Sequence, residues 1–162
     1  GVMAWLQERM PADHPASAVI HNDYRFDNVV LAPEDPLRII GVLDWEMATI
    51  GDPLMDLGGA LAYWIDREDP QEMQAIRLVP THLEGMMTRS EVASYYCARM
   101  DLPEDDMDFY YTFGLFRLAV IAQQIYYRFY HGQTKDRRFG MLIFAVHVLE
   151  KKAQQVMETG KI

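Results

Sequence analysis

The sequence predicts a mainly α-helical α+β fold in which a small β-hairpin element precedes a bundle of four or five helices. Three observations support this prediction. Short β-rich runs, interrupted by Pro and Gly, occur between Ala18 and Pro53. After Pro53, apolar residues recur at spacings of three and four, which is the helical period. Finally, 162 residues, of which 50% are hydrophobic, suffice for one sizeable core.

Before the first long helix, the sequence predicts a helix, a loop, a short buried strand and a hairpin. In that order they cover 2–10, 11–16, 18–20 and 28–43. Pro11 ends the helix, and the Pro and acidic residues of 32–36 predict the hairpin turn. Because strands that flank a short turn lie side by side, the hairpin should bring Asp44 next to the end of the preceding loop.

The remaining helices carry recognisable end signals. Asp52 and Pro53 are a typical N-cap and first helical residue, and Thr88 with Glu91 has the pattern of a capping box. The predicted helices cover 53–69, 88–100, 105–131 and 138–157. The segment 71–87 is ambiguous and has room for one more helix followed by a loop.

Composition argues against several classes of function. The formal net charge of −9 at pH 7 disfavours a nucleic-acid partner, because phosphates require a basic face. No apolar run is long enough for a membrane span, and no basic-then-apolar segment indicates secretion. Cys97 is the single cysteine, so neither a disulfide framework nor a cysteine-based zinc site is predicted. We expect a cytoplasmic protein with no nucleic-acid and no membrane partner.

The clearest chemical pattern is the segment 21–28, HNDYRFDN, together with the DWE triplet that follows the hairpin. A carboxylate at the tip of a loop, such as Asp23, can orient a hydroxyl and accept its proton. The Asn28 carbonyl and the Asp44 carboxylate are hard oxygen ligands of the kind that hold Mg²⁺ between phosphate oxygens. A base and two metal ligands in this order are typical of kinase-type phosphoryl transfer.

Arg25 lies two residues after this candidate base. Its guanidinium can stabilise the charge that grows on a phosphate during transfer. A structural ion pair with a carboxylate such as Asp27 or Asp56 fits the sequence equally well.

These segments resemble a known family. Segment 21–28 resembles the HGDxxxxN motif of aminoglycoside phosphotransferase-like kinases, and 42–46 and 50–57 resemble that family's metal-binding segment and the helix start behind it. The DWE triplet and the GDPLxDL run are similar to the branch related to the kinase-like domain fused to some acyl-CoA dehydrogenases. The resemblance covers about 19–64 and implies the C-terminal lobe of a protein-kinase-like fold.

The resemblance implies ATP-dependent transfer of the γ-phosphate to a hydroxyl of a small molecule, with Mg²⁺ as the metal. By position, it makes Asp23 the catalytic base with Arg25 beside it, and Asn28 and Asp44 the ligands of the metal and the nucleotide phosphates. The acceptor is open, because an aminoglycoside fits the family name and a hydroxylated acyl thioester or another metabolite fits the branch equally well.

The resemblance also implies supporting roles. His21 should hydrogen-bond backbone near Asp44, and Asp56 should anchor the catalytic loop. Two residues depart from the pattern. Asn22 stands where the family often has Gly, and Glu46 stands where protein kinases have the Gly of their DFG triplet, so Glu46 is either a partner of the metal site or a solvated side chain.

The elements of a nucleotide-binding lobe are not found in the chain. A kinase of this type uses a Gly-rich turn and a strand Lys above the phosphates, and the segment before His21 contains one Gly and no Lys. We therefore expect 1–162 to be the C-terminal lobe alone, with the N-terminal lobe absent. Such a fragment should neither bind ATP tightly nor turn over, and the apolar surface that the lobe would cover should favour self-association.

Two other functions stay open from sequence. A catalytically silent kinase-like module would bind a partner or nucleotide without transfer, although the intact Asp23, Asn28 and Asp44 argue against it. A metal-dependent phosphohydrolase would use His21 with the two aspartates, but it would need further His or Asp ligands at suitable spacings.

Overall fold

The computed structural model describes residues 1–11 and 17–162. Its described part contains six α-helices and four β-strands. In chain order these are α1 Val2–Glu8, β1 Ala18–Ile20, β2 Val29–Ala32, β3 Asp35–Val42, β4 Thr49–Gly51, α2 Pro53–Leu61, α3 Gln71–Ala75, α4 Arg89–Met100, α5 Met107–Tyr130 and α6 Leu142–Thr159. Turns of 3₁₀ helix occupy Phe26–Asn28, Trp45–Met47 and Arg137–Met141. The predicted mainly α fold, with a hairpin before a helical bundle, is confirmed.

The strands form two separate two-stranded antiparallel sheets. β2 and β3 make the predicted hairpin, in which Val29 pairs with Val42. Beyond the last pair, the backbone N–H of Leu43 donates to the Asn28 carbonyl over 2.8 Å. The hairpin therefore joins the end of the loop to the residue before Asp44, as predicted. The pairing of β1 with β4 was not predicted.

Two predictions about the strands are wrong in detail. The turn was expected over 32–36, but Ala32 pairs with Asp35, so only Pro33 and Glu34 lie between the strands. An edge strand tolerates Pro36 because its missing N–H removes no ladder bond. The strand β1 was expected to be buried, yet Val19 is 70% exposed because one face of this small sheet has no layer above it.

The predicted helices are present, but several begin or end at other residues than expected. Of the predicted loop over 11–16, only Pro11 belongs to the described residues. The capping box of Thr88 and Glu91 forms as expected. The helix predicted over 53–69 stops at Leu61. Side chains from distant segments, instead of further helical turns, make the hydrogen bonds of the backbone that follows. The Thr81 hydroxyl binds both the N–H and the C=O of Ile65. The segment predicted as the start of the last helix, 138–141, is a 3₁₀ turn.

A buried ion cluster holds the loop after α2 in place. Arg89 is 3% exposed and donates to both carboxylate oxygens of Asp69 and to the Trp64 carbonyl. Burial disfavours ionisation of Asp69, but the hydrogen bonds and charge of Arg89, together with the backbone N–H of Asp66 and the charge of Lys152, outweigh it and hold the pKa of Asp69 below its ordinary value. The paired charges thus fix α4 against the end of α2.

The core is built around α5, which packs against α2 on one side and α6 on the other. Its members include Leu54, Leu57, Leu61, Cys97, Phe109, Tyr111, Leu115, Leu149 and Val156. The α2–α5 crossing is unusually close, because Gly58 and Gly114 meet at it. A Cβ on Gly58 would overlap the Tyr110 carbonyl, and a Cβ on Gly114 would overlap the Gly58 carbonyl.

This crossing yields a prediction about stability. Gly114→Ala should lower the free energy of unfolding by about 3 kcal/mol or more, because backbone cannot rotate away from the added methyl group. Gly59→Ala is the matched control, since its Cβ would lie 3.4 Å from the flexible end of Arg117. That control should leave stability unchanged or raise it by up to about 1 kcal/mol through helix propensity. Urea unfolding measures both, and equal effects would contradict the close crossing.

Candidate active site

The loop 21–28 is fixed by one carboxylate on α2. Asp56 lies in the first turn of that helix, and its two oxygens accept the backbone N–H groups of His21 and Asn22 over 2.7 and 2.8 Å. The helix is itself capped by Asp52, whose Oδ1 accepts the Leu54 N–H over 2.8 Å. The predicted anchoring role of Asp56 is therefore confirmed.

The same end of α2 is tied to the central helix. The hydroxyl of Tyr110 on α5 donates to Asp52 Oδ2 over 2.7 Å. Burial, together with this hydrogen bond, raises the pKa of Tyr110, so the hydroxyl stays a donor throughout the physiological range. The loop thus rests on α2, and α2 rests on α5.

His21 connects the loop to the segment that carries Asp44. It is 3% exposed, and its Nδ1 accepts the Asp23 N–H over 3.2 Å. This leaves Nε2 protonated, and it donates to the Leu43 carbonyl over 2.7 Å. The Trp45 ring packs against the imidazole with a centroid distance of 4.7 Å. His21 therefore has its predicted shaping role and is too enclosed to act as a base.

The backbone explains why Asn22 departs from the family pattern. Its φ is 66°, in the left-handed region that Gly adopts freely and that Asn tolerates better than most residues. Its side-chain amide also donates to the Met47 carbonyl over 3.0 Å. Asn at this position thus replaces Gly without loss of the turn and adds a link to the segment after Asp44.

Asn28 positions the candidate base. Its Nδ2 donates to the backbone carbonyl of Asp23 over 2.7 Å and to the Asp23 carboxylate over 2.9 Å. Asn28 is 7% exposed, so the amide is held firmly. Both donors are used, and the Oδ1 oxygen has no hydrogen bond among the described residues, which leaves its lone pairs available to a cation.

Asp44 supplies the second hard oxygen. It follows β3 with φ 66° and ψ 49°, and the Trp45 indole N–H donates back to the Val42 carbonyl over 2.8 Å. The Asp44 carboxylate is exposed and makes no hydrogen bond or ion pair with the described residues. The structure brings Asp23, Asn28 and Asp44 to one edge, because the hairpin joins Leu43 to Asn28.

The donor set suits a magnesium ion shared with a nucleotide. In the described part of the chain, no three His, Cys, Asp or Glu side chains are grouped to hold a metal by themselves. Mg²⁺ commonly takes one or two protein oxygens and completes its shell with phosphate oxygens and water. A neutral amide oxygen from Asn28 and a free carboxylate from Asp44 match that requirement.

Arg25 lies against Asp23, the candidate base. Its Nε is 3.7 Å from Asp23 Oδ2, and Nη1 is 3.8 Å from Asp27. The guanidinium also lies over the Tyr63 ring, with Cζ 5.1 Å from the centroid. Its buried Nε has no hydrogen-bond partner in the described structure. Glu46, in contrast, is exposed, and none of the residues at 1–11 and 17–162 forms a hydrogen bond or ion pair with its side chain.

A cavity of about 570 Å³ opens beside the loop. Loop, hairpin, α2 and α4 all contribute to its lining, which includes Tyr24, Arg25, Phe26, Leu31, Ile39, Leu57, Tyr63, Trp64 and Tyr96. The lining is mostly apolar and aromatic, and Phe26 and Trp64 pack with ring centroids 5.7 Å apart. Sequence reasoning missed Tyr63, Trp64 and Tyr96, because only the folded chain brings them to the loop.

Comparison with known proteins assigns the chain to a family. A model of the phosphotransferase enzyme family matches residues 1–82, about half of the 162-residue chain. The chain belongs to the phosphotransferase enzyme family.

No helix in the described part of the chain has the length and apolarity that a membrane crossing requires.

Curated relatives confirm the branch inferred from the DWE and GDPLxDL runs. Mouse acyl-CoA dehydrogenase family member 10 is 34% identical over 137 residues, which are 83% of this chain and 12% of the relative. Human acyl-CoA dehydrogenase family member 11 is 34% identical over 135 residues, 82% of this chain and 17% of the relative. Viomycin phosphotransferase of Streptomyces vinaceus is 34% identical over 79 residues, 40% of this chain and 28% of the relative.

A solved structure confirms the fold. A candidate aminoglycoside phosphotransferase from Ralstonia eutropha superimposes with a TM-score of 0.68 and 29% sequence identity. The match covers 93% of this chain and 48% of that chain. The chain thus spans about half of that phosphotransferase and under a fifth of the dehydrogenase-family relatives.

The anchoring carboxylate yields a second prediction. Asp56→Ala leaves two backbone N–H groups without their acceptor and should cost about 2–4 kcal/mol of unfolding free energy. Amide hydrogen exchange at His21 and Asn22 should accelerate at the same time. Glu68→Ala, at an exposed carboxylate in a turn, should change stability by less than about 0.5 kcal/mol. Unchanged exchange at His21 in the Asp56 variant would show that the loop does not depend on it.

Proposed function

We propose that this chain is the catalytic half of an ATP-dependent phosphotransferase that transfers the γ-phosphate to a hydroxyl of a small molecule. The observation that supports this best is the bonding of Asn28. Its side-chain amide donates to the Asp23 carboxylate over 2.9 Å, and its Oδ1 has no hydrogen bond among the described residues. Its backbone carbonyl accepts the N–H of Leu43, the residue before Asp44. One residue thereby aims the base and contributes a metal ligand.

The proposed reaction places Asp23 at the acceptor. The carboxylate orients the acceptor hydroxyl, whose oxygen forms the new bond to the γ-phosphorus as the bond to the β-phosphate oxygen breaks. The hydroxyl proton passes to Asp23, and ADP leaves. Arg25, held against Asp23 at 3.7 Å, faces the developing negative charge with a buried Nε–H that is free to donate.

Asn28 and Asp44 would hold Mg²⁺. When bound, the ion supplies positive charge to the phosphate oxygens and orients them for in-line attack. The chain's own contribution is to present one neutral and one anionic oxygen from two segments that the hairpin holds side by side.

The cavity supports an acceptor with an apolar body. Its lining is dominated by aromatic and aliphatic side chains, and its charged members are Arg25 and Asp56. Asp56 is already engaged by two backbone N–H groups, so it is poorly placed to bind a cation. A polycationic aminoglycoside would need several free carboxylates, so the cavity favours a hydroxylated metabolite of the acyl type over an aminoglycoside.

We also propose that a separate nucleotide lobe completes the site. The segment before His21 has no Lys and no Gly-rich turn, so this chain alone is expected to bind ATP weakly and not to turn over. Exposed apolar side chains on the hairpin and the DWE segment, among them Leu37, Ile40, Leu43 and Trp45, fit a surface covered by that lobe. Left uncovered, this surface favours self-association. We infer a cytoplasmic location from the single buried Cys97.

The test uses the protein together with its nucleotide lobe and a pool of hydroxylated metabolites. Asp23→Asn should lower kcat about 10²- to 10⁴-fold, because the general base is lost, and should leave ATP affinity nearly unchanged. Asp27→Asn, in the same loop with an exposed side chain, is the matched control and should retain activity. ADP formation with and without acceptor provides the measurement. Equal turnover by the Asp23 variant contradicts the assigned role, and acceptor-independent phosphate release would indicate a hydrolase.

A further inference from the structure

Arg117 on α5 is a partly buried cation without a counter-charge among the described residues. It forms no ion pair with any carboxylate of the described residues. Its Nη2 lies 3.9 Å from Met47 Sδ, and sulfur is a weak acceptor. Arg89, a fully buried arginine of the helical bundle, forms ion pairs with Asp69 and Asp66. The fold therefore keeps Arg117 available.

Two contacts place Arg117 beside the candidate active site. Met47 closes the turn that follows Asp44, and its carbonyl accepts the side-chain amide of Asn22, the residue before the base. On the other side, Arg117 Nη1 lies against Gly59 of α2. Tyr63, which lines the cavity, follows four residues later, beyond the end of α2 at Leu61. Arg117 thus connects the turn that follows Asp44 with helix α2, next to the candidate active site.

The electrostatics of Tyr63 agree with this placement. Burial raises the pKa of the Tyr63 hydroxyl, while the charges of Arg25 and Arg117 act in the opposite direction and that of Asp23 adds to the rise. The charges of Arg25, Asp23 and Arg117 thus all act on the Tyr63 hydroxyl.

The two arginines are not equivalent. Arg25 touches Asp23 and is the nearer one to a transferred phosphate. Arg117 touches neither Asp23 nor Asn28 in the described structure, and its neighbours are Met47 and α2. A partly desolvated guanidinium without a counter-charge is unfavourable alone and gains free energy when an oxyanion pairs with it.

We propose that Arg117 forms an anion subsite, beside the turn that follows Asp44, that binds a carboxylate or phosphate group carried by the acceptor. That the bound molecule is a phosphate acceptor rests on the proposed phosphotransferase function. Binding of an oxyanion by Arg117 does not depend on that function. Arg117 is then a specificity-determining residue. It attracts hydroxylated acids or phosphate esters and repels polycationic alcohols by like charge.

The test measures binding to the 162-residue chain by NMR, with circular dichroism to verify that each variant is folded. Methionine methyl groups labelled with ¹³C report occupancy, because Met47 Sδ lies 3.9 Å from the guanidinium. The probes are mandelate and mandelamide, which share a ring and a hydroxyl and differ in the anionic group. Inorganic phosphate is a third probe that separates a phosphate preference from a carboxylate preference.

The expected result is that mandelate shifts the Met47 methyl signal and binds about tenfold more tightly than mandelamide. Arg117→Gln should abolish that preference, and Arg117→Lys should restore part of it. Arg128→Gln is the matched control, because Arg128 is exposed near the end of the same helix, and it should keep the full preference.

Three results would overturn the subsite: equal affinity for the two probes, a preference that survives Arg117→Gln, or no response at Met47 to any anion. Failure of the phosphotransferase proposal looks different. In that case Arg117-dependent anion binding persists while the protein with its nucleotide lobe transfers no phosphate to any hydroxyl compound.

Discussion

The rest of the site depends on one constraint: a single carboxylate accepts hydrogen bonds from two adjacent backbone N–H groups. Asp56 binds the N–H groups of His21 and Asn22, where the chain turns through a left-handed residue. Without it, a polar loop would have two unsatisfied donors and no fixed position on the helical bundle. The anchor is rigid because α2 meets α5 through Gly58 and Gly114 and through the Asp52–Tyr110 hydrogen bond.

The loop uses each side chain for more than one purpose. Asn28 holds the base and keeps a free carbonyl oxygen, and His21 ties the loop to the backbone before Asp44. Arginines flank this acidic site on two sides, Arg25 against the base and Arg117 behind the following turn. In the proposed function, proton acceptance, metal ligation and anion binding belong to groups that do not compete for the same contacts.

How much the sequence predicts depends on how local the determining interaction is. The helix caps, the hairpin and the roles of His21 and Asp56 follow from motifs whose residues lie close together in the chain or match a family pattern. The end of α2 does not, because the hydroxyl of Thr81 and the guanidinium of Arg89 terminate it from a distance. The pairing of β1 with β4, the glycine crossing and the position of Arg117 likewise depend on contacts between distant segments. No periodicity or spacing encodes them.

The central claim is that Asn28 and Asp44 share one divalent cation beside Asp23. The most direct measurement is paramagnetic broadening of ¹⁵N signals by Mn²⁺, which replaces Mg²⁺ at oxygen ligands. The account predicts that the side-chain amide of Asn28 and the backbone amide of Asp44 broaden first and together, and that Asp44→Asn removes both effects. Broadening that begins instead in the acidic segment 101–108, or that reaches one of the two signals without the other, would contradict it.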